Sequence, residues 1–439
     1  MRERRLHSIN CLRHRETPID ISGRQNSYSH RKRSSVRLVG CTLINNRRLP
    51  LKSSKIIIVG GGIFGISAAR ELKKRGHSVI IFDSGPLPNP DASSSDISKT
   101  IRADYGADRF YAQLATEAIT GWHQWNEESG QILYEETGNL WLTPTPMTQG
   151  QFEFESYRVL SDLNYPIELL GKPEIQERFP TWKEADYSHG YYNRRGGWAK
   201  STKTVAWLVE KAAEEEVNLQ QNNGMTGLLE HAGQVEGIIT QDGSEHRSDL
   251  VIIATGAWTP KLVPWMAETL RSVAQPVYHF QVADPTAYQG KQFPQWGANV
   301  SETGWYGFPA QQEGILKVAH HGRGIPMNFG DDQSVFPEMD RKFRDFLGSS
   351  FPELRDARIV KRRLCFYCDS LDGDFWIDHD ARRKNLVIAT GGSGHGFKFG
   401  PVLGEIIADV AEQKSNPWAY RFRRRSVSKP LTDAARSND

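Results

Sequence analysis

Lys55-Ile56-Ile57-Ile58-Val59-Gly60-Gly61-Gly62-Ile63-Phe64-Gly65 is the stretch on which the reading of this chain turns. The apolar run after Lys55 has the composition of a strand buried on both faces, as in a parallel sheet. It passes without a spacer into glycines at 60, 62 and 65. The first permits a tight turn, the second lets the backbone approach a pyrophosphate, and the third lets a helix pack close to the strand. Ile66 to Arg75 has helical composition, and His77 to Asp83 (HSVIIFD) reads as a second buried strand closed by an acid. Asp83 lies 23 positions after Gly60. That spacing suits a carboxylate on a ribose hydroxyl, and the helix N-terminus suits anionic phosphates. The pattern predicts a βαβ dinucleotide site with Gly60, Gly62, Ile63, Phe64, Gly65, Asp83 and Ser84 as candidate contacts. By itself it does not separate NAD from FAD.

Two later segments repeat the strand-then-glycine design. Gly224 to Ala254 reads as a three-strand meander with turns at His231 to Gln234 and at Asp242-Gly243, and its last strand, Asp249 to Ala254, leads into Thr255-Gly256. Asn385 to Thr390 leads into Gly391-Gly392-Ser393-Gly394-His395-Gly396 and a helical run from Pro401 to Glu412. An ordinary NAD-dependent dehydrogenase leaves these two extra glycine-rich strand ends unexplained. The intervening segments, 104–189 and 258–359, are rich in Trp, Tyr and Phe and read as an inserted second domain. The expected division is a basic leader 1–53, a discontinuous nucleotide-binding domain 54–103, 190–257 and 360–418, a substrate domain 104–189 and 258–359, and a basic, solvated tail 419–439.

The chain has 439 residues, 38% hydrophobic, with a net charge of +3. This composition fits a globular protein of two or three domains and excludes disorder throughout. Residues 1–53 hold 13 Lys plus Arg against 3 acids, so the other 386 residues carry 42 basic against 49 acidic side chains, a net −7. The basic isoelectric point therefore belongs to the leader, and it predicts no nucleic-acid partner for the body. The leader reads as a disordered tail or an inaccurate start, with a mitochondrial transit peptide as the alternative. Four cysteines form no disulfide framework, which favours a reducing, intracellular and cytoplasmic setting. The longest apolar stretch, Ile56 to Ala69, contains four glycines and is too short to span a bilayer. No membrane attachment is expected, no C-terminal peroxisomal signal is present, and a monomer is expected.

The combination of these elements resembles the D-amino-acid-oxidase superfamily of flavoproteins, in the branch of monomeric sarcosine oxidase, L-pipecolate and saccharopine oxidases and fructosyl amino acid oxidases. The resemblance spans about Ser54 to Trp418 and is most specific at Arg363 to Asp378 (RLCFYCDSLDGDFWID) and Gly392 to Phe399 (GSGHGFKF). It implies an α/β fold, a Rossmann-like FAD-binding domain with an inserted α+β substrate domain on a mixed or antiparallel sheet. It also implies FAD as cofactor, contacted by Thr255, Gly256, Gly392, Gly394, His395, Gly396, Phe397 and Lys398 and carried on Cys365 through a thioether. Basic neighbours Lys361, Arg362 and Arg363 would favour a thiolate there. The rival reading of Cys365-Phe366-Tyr367-Cys368, a redox or zinc pair, lacks further ligands at suitable spacing, so no metal is expected.

The same resemblance supplies the substrate side. Trp305-Tyr306-Gly307-Phe308-Pro309, Lys317 and His321 match the family's tyrosine, lysine and histidine, and imply Tyr306, Lys317 and His321 as catalytic residues. Lys317 would promote the reaction of reduced flavin with dioxygen, since a fixed cation stabilises superoxide as the first electron arrives. Ser98-Lys99-Thr100-Ile101-Arg102 implies Lys99 beside the flavin as a catalytic and cofactor-binding residue. Arg102 and Lys398 would grip a substrate carboxylate, with Tyr367 beside them. Lys99 stands where sarcosine oxidase has arginine. Pro309 stands near a sugar-binding glutamate of the fructosyl enzymes, which argues against glycated amino acids. The implied reaction is oxidation of C–N in a secondary amine or N-substituted amino acid to an imine, with dioxygen reduced to hydrogen peroxide. Twelve tryptophans leave open a tailoring oxidase acting on an aromatic natural-product amine.

Overall fold

The computed structural model describes residues 53–182, 186–311, 313–328 and 336–426. The reading of the leader, and of the tail beyond residue 426, lies outside them. The described residues form one compact unit.

Strand β1 (Lys55–Val59), helix α1 (Ile63–Lys74) and strand β2 (Ser78–Phe82) form the expected unit. β1 is parallel to β2 and, on its other side, to Leu250–Ile253, which pairs with Leu386–Thr390. Asn218–Gln220 and Trp376–His379 close the two edges of this six-stranded sheet. Ile56, Ile57 and Ile58 are fully buried, because α1 and the helix Gly400–Ala411 cover one face while a three-stranded sheet, 225–247, lies among the elements packed on the other. The meander differs from expectation. Its three strands are Met225–His231, Gln234–Thr240 and Glu245–Arg247, and Leu250–Ile253 leaves them for the parallel sheet. Four consecutive buried apolar residues suit a central parallel position better than the edge of a half-exposed meander.

A nine-stranded, mostly antiparallel sheet holds the rest of the site. Its members include Asn139–Thr143, His189–Asn193, Leu270–Gln281, Gln295–Ala298, Trp305–Phe308, Ile315–His320 and Arg358–Ser370. Side chains alternate across it. Leu140, Leu142, Trp296, Ala298, Trp305, Leu316, Val318, Tyr278 and Phe280 pack into one apolar cluster with Phe343, Phe346 and Leu347 of the helix Phe336–Ser350. The register then sends Trp141, Gln295, Tyr306, Phe308, Lys317, His279 and Cys365 to the other face. Among the described residues no helix is long and apolar enough to cross a membrane.

The tail departs from its solvated reading as far as it is described. Arg421 bonds Asp108 and Asp374, Arg423 bonds Asp378, and Arg425 bonds Asp372. Each arginine meets an acid far away in sequence, which charge counting along the chain does not detect.

Candidate active site

Val59 ends at the mouth of a cavity of about 550 Å³. Gly60, Gly62, Ile63, Phe64, Asp83 and Ser84 line it from the first βαβ unit, and Thr255, Gly256, Gly392, Gly394, Gly396 and Phe397 from the two later strand ends. All three glycine-rich turns thus converge on one space. Gly65 lies behind it: a Cβ there would stand 1.9 Å from the Gly60 carbonyl oxygen. Gly60 itself has φ +99°, and a Cβ on it would meet the Ala254 carbonyl oxygen at 2.6 Å.

The residues present fit a dinucleotide. Gly62 offers no capping side chain, and the first turn of α1 holds no acid to compete for an anion. Ser94 Oγ accepts the Ile63 N–H at 3.0 Å. Asp83 is set at the end of β2 by the Gly61 N–H at 2.8 Å and by Asn89 Nδ2 at 2.9 Å. Lone pairs remain on its oxygens for a hydroxyl donor. Asn89, Ser93 and Thr226 also line this cavity. Sequence reasoning did not single them out, because they lie in loops with no fixed spacing from the glycines.

A second, smaller cavity adjoins the first, and Lys99, Tyr367, Gly394 and Phe397 line both. Arg102, Tyr306, Lys317, His321, His395 and Lys398 surround it together with Trp141, Gln295 and Phe308. Every residue expected on the substrate side is therefore at this cavity. His321 faces it, with Tyr306 and Tyr367 each 6.3 Å away by ring centroid. His320 points the other way onto Trp305, 4.9 Å between centroids, as strand alternation requires.

Two cations stand at one end. Lys398 Nζ donates to Tyr105 Oη at 3.0 Å and to the His395 carbonyl at 2.9 Å. The Arg102 guanidinium lies over Tyr105, Trp141 and Phe152 at 5.0–5.4 Å, and its buried Nη1 has no partner. An unpaired guanidinium N–H in such an apolar setting is costly unless an acceptor reaches it. Tyr105 was not foreseen, since it carries no motif of its own. Burial pushes the Tyr306 hydroxyl up from the usual phenol range, and Tyr367 hydrogen-bonds it.

Lys317 is 2% exposed. Its Nζ donates to Asp96 Oδ2 and to the Ser98 carbonyl, each at 2.7 Å, and lies 4.6 Å from the Phe308 ring centre. Burial pulls its ammonium down to about 8, against the opposing charge of Asp96. Asp96 belongs to the segment Asp91 to Ser98, whose serines suggest solvent. Ser94, Ser95, Asp96 and Ser98 are nevertheless buried: Ser94 Oγ accepts the Ile63 N–H, Ser95 Oγ donates to the Asn89 carbonyl, the Asp96 carboxylate meets Lys317 and His279, and the Ser98 carbonyl accepts from Lys317.

Cys365 is 1% exposed and sits behind the cavity walls among Val273, Val277, Ala319 and Tyr367. The cation beside it is Lys99, with Nζ 3.4 Å from Sγ. The sequence neighbours turn elsewhere: Arg362 pairs with Asp340, and Arg363 donates to the carbonyls of Ser95 and Ala92. Cys368 lies three residues on along an extended strand, hence on the opposite face, in a different cluster. Burial pushes its thiol up to about 11. The two cysteines are free and do not form a pair. Among the described residues no group of His, Cys, Asp or Glu is arranged for a metal ion.

A family model described as DAO, FAD dependent oxidoreductase, matches residues 55–410. N-methyl-L-tryptophan oxidase of Yersinia pestis (strain Pestoides F) is 26% identical over 365 residues, which covers 82% of this chain and 96% of that protein. Among solved structures, a modified fructosyl peptide oxidase from Aspergillus nidulans matches with a TM-score of 0.76 at 22% identity, over 88% of this chain and 96% of its own. Fructosamine oxidase from Aspergillus fumigatus (Amadoriase II) matches with a TM-score of 0.74 at 23% identity, over 84% and 89%. These two solved structures share the fold. The cavity lined by three glycine-rich strand ends and the family match over 55–410 agree: the chain belongs to the DAO family of FAD-dependent oxidoreductases.

Proposed function

We propose that this protein is an oxidase of secondary amines, taking an N-substituted amino acid at the smaller cavity and returning an imine and hydrogen peroxide. The observation that carries the reading is the pairing of one buried, unpartnered guanidinium N–H, on Arg102, with Lys317 at the same cavity beside the cofactor space. The similarity to N-methyl-L-tryptophan oxidase supports the amine class.

FAD, when bound, accepts two electrons from the CH–NH unit and passes them to dioxygen. The chain supplies orientation and charge. Arg102 and Lys398 hold the substrate carboxylate, the first by a two-pronged grip and the second as a point charge. Tyr306, Phe308 and Trp141 exclude water around the amine, so that it reacts in its neutral form. Lys317 places a fixed ammonium where dioxygen acquires negative charge. Cys365 would hold the cofactor through a thioether, with the Lys99 ammonium 3.4 Å from its sulfur. Of the twelve tryptophans, Trp141 alone is found at the small cavity among the described residues, while Trp122, Trp182, Trp296 and Trp305 are core. Aromatic content therefore gives the tailoring alternative no support.

The test is a peroxide assay with sarcosine, pipecolate, proline, saccharopine, N-methyl-L-tryptophan and fructosyl amino acids. Peroxide formed from at least one secondary amine is expected, and its absence with all of them in flavin-loaded protein overturns the proposal. Denaturation in acid should leave yellow colour on the polypeptide, and Cys365→Ser should release it. Free flavin from the parent protein would refute the thioether.

A further inference from the structure

Asp96 is a buried charge to which the reaction proposed above gives no task. Its side chain is wholly inaccessible. Oδ2 accepts from Lys317 Nζ at 2.7 Å, Oδ1 lies 3.1 Å from His279 Nε2, and Lys99 Nζ is 3.9 Å from Oδ2. The residue is anchored from behind, where its carbonyl accepts from Ser201 Oγ at 2.7 Å and Thr202 Oγ1 at 2.9 Å. Asp96 and the Ser98 carbonyl thus fix two of the three N–H groups of Lys317, which removes most of the freedom of a flexible side chain.

We propose that Asp96 is a positioning residue: its carboxylate, braced by His279, holds the Lys317 ammonium in place and protonated while dioxygen is reduced. This rests on the oxygen role given to Lys317 above. In that step two electrons and two protons leave the CH–NH unit, and dioxygen takes up two of each to leave as hydrogen peroxide. The negative charge arises on oxygen before the protons arrive, so the ammonium must be charged at that moment.

The surrounding charges agree with this division of labour. Lys317 faces Asp96, Lys99 and Cys365; Asp96 faces Lys317, His279 and Lys99; and His279 faces Asp96, Lys317 and Lys361. Burial opposes ionisation of Asp96, but Lys317, His279 and Lys99 together hold it well below the usual carboxylate range. Burial also lowers His279, which leaves it neutral and able to donate its Nε2 proton to the carboxylate. One negative charge therefore serves two lysines, and without it the buried Lys317 would have no counter-charge among the described residues, and the half-buried Lys99 would lose its nearest one.

The experiment follows the reaction of reduced enzyme with dioxygen by stopped flow across pH. In the parent protein the rate should fall as pH rises through about 8, where Lys317 loses its proton. Asp96→Asn should move that inflection down by about one unit or more and slow the step about tenfold at pH 8. Anaerobic reduction by amine should change by a smaller factor. The double variant Asp96→Asn/Lys317→Met should be no slower than Lys317→Met alone, whereas a merely structural role multiplies the two losses. A readout independent of turnover is the pH titration of the oxidised flavin spectrum, whose inflection should move with the same sign. If Asp96→Asn does not fold, His279→Leu decides, with the same shift to a smaller extent expected and an unchanged profile overturning the inference. Normal oxygen reaction in Lys317→Met would overturn the reading of Lys317 itself. A slow Lys317→Met together with an unchanged Asp96→Asn profile would overturn only the role of Asp96.

Discussion

Arg102 and Lys398 bring two cations to one end of the small cavity, yet the structure satisfies them differently. Lys398 has Tyr105 and a carbonyl, whereas Arg102 keeps an unpaired N–H among three aromatic rings. The substrate carboxylate is therefore expected to depend more on Arg102. Arg102→Met should raise KM for an amino-acid substrate about 100-fold, from the loss of a charge-assisted pair worth about 1.5–3 kcal/mol, and leave an amine without a carboxylate almost unaffected. Equal losses for both amines, measured as kcat/KM, would remove Arg102 from carboxylate recognition. Gly65 tests the other cavity. The Gly60 carbonyl lies 1.9 Å from where a Cβ would stand and is backbone, which cannot swing aside. Gly65→Ala should force α1 away from β1, cost about 3 kcal/mol and abolish retention of FAD, as read by flavin absorbance after gel filtration.

At the level of elements, the βαβ unit was legible because its information is local: an apolar run, three glycines at fixed offsets and an acid after the next strand. The later strand ends were legible for the same reason. What sequence spacing could not supply was long-range pairing. Lys317 and Tyr306 share a face because Trp305–Phe308 and Ile315–His320 pair antiparallel with Phe308 opposite Lys317. Asp96 and His279 reach Lys317 from segments 221 and 38 residues away in sequence. No motif links them, so the charge that holds the key lysine stayed invisible until the strands were paired. The cysteines show the same point. The spacing Cys365-Phe366-Tyr367-Cys368 allowed a pair as the rival reading, but period-two alternation over an odd separation puts the two thiols on opposite faces. Cys368 lines the larger cavity, but burial pushes its thiol up, and among the described residues no lysine is beside its sulfur as Lys99 is beside Cys365. Cys368→Ala should therefore leave flavin attached to the acid-denatured chain, while Cys365→Ser should not. Release of flavin by Cys368→Ala would mean that the wrong thiol has been assigned.

Across the whole molecule, charge is organised by folding rather than by sequence neighbourhood. Arg421 bonds Asp108 at the start of the helix Arg109–Ser129 and Asp374 in the turn after Arg358–Ser370, and it lies over Phe110 and Tyr111. Gly373 in that turn accepts a hydrogen bond from His395, and His395 contacts Tyr105, the partner of Lys398. Arg421→Gln should cost about 2 kcal/mol, less than a fully buried pair because the arginine is partly exposed, and lower Tm by about 3 °C. The response to acid follows from the same organisation. Asp96, Asp340, Asp372 and Glu412 are held below their usual range, by Lys317 for the first and by arginines for the others, against the opposing effect of burial where they are enclosed. Such groups stabilise the fold above their unfolded pKa of about 4, and that contribution is lost as pH falls through the folded values. His279, lowered by burial, adds a loss that begins near pH 6.5, because the unfolded chain binds its proton first. Asp104, Glu153 and Asp374 are raised by burial and act with the opposite sign. Comparing the parent protein with Asp96→Asn isolates the contribution of the buried carboxylate. The parent should lose stability steeply below about pH 4, and Asp96→Asn, weaker at pH 7, should lose less over the same interval, as read from urea midpoints. Parallel curves from pH 7 to pH 3 would show that Asp96 is not ionised in the folded protein, and its hold on Lys317 would then be a neutral hydrogen bond.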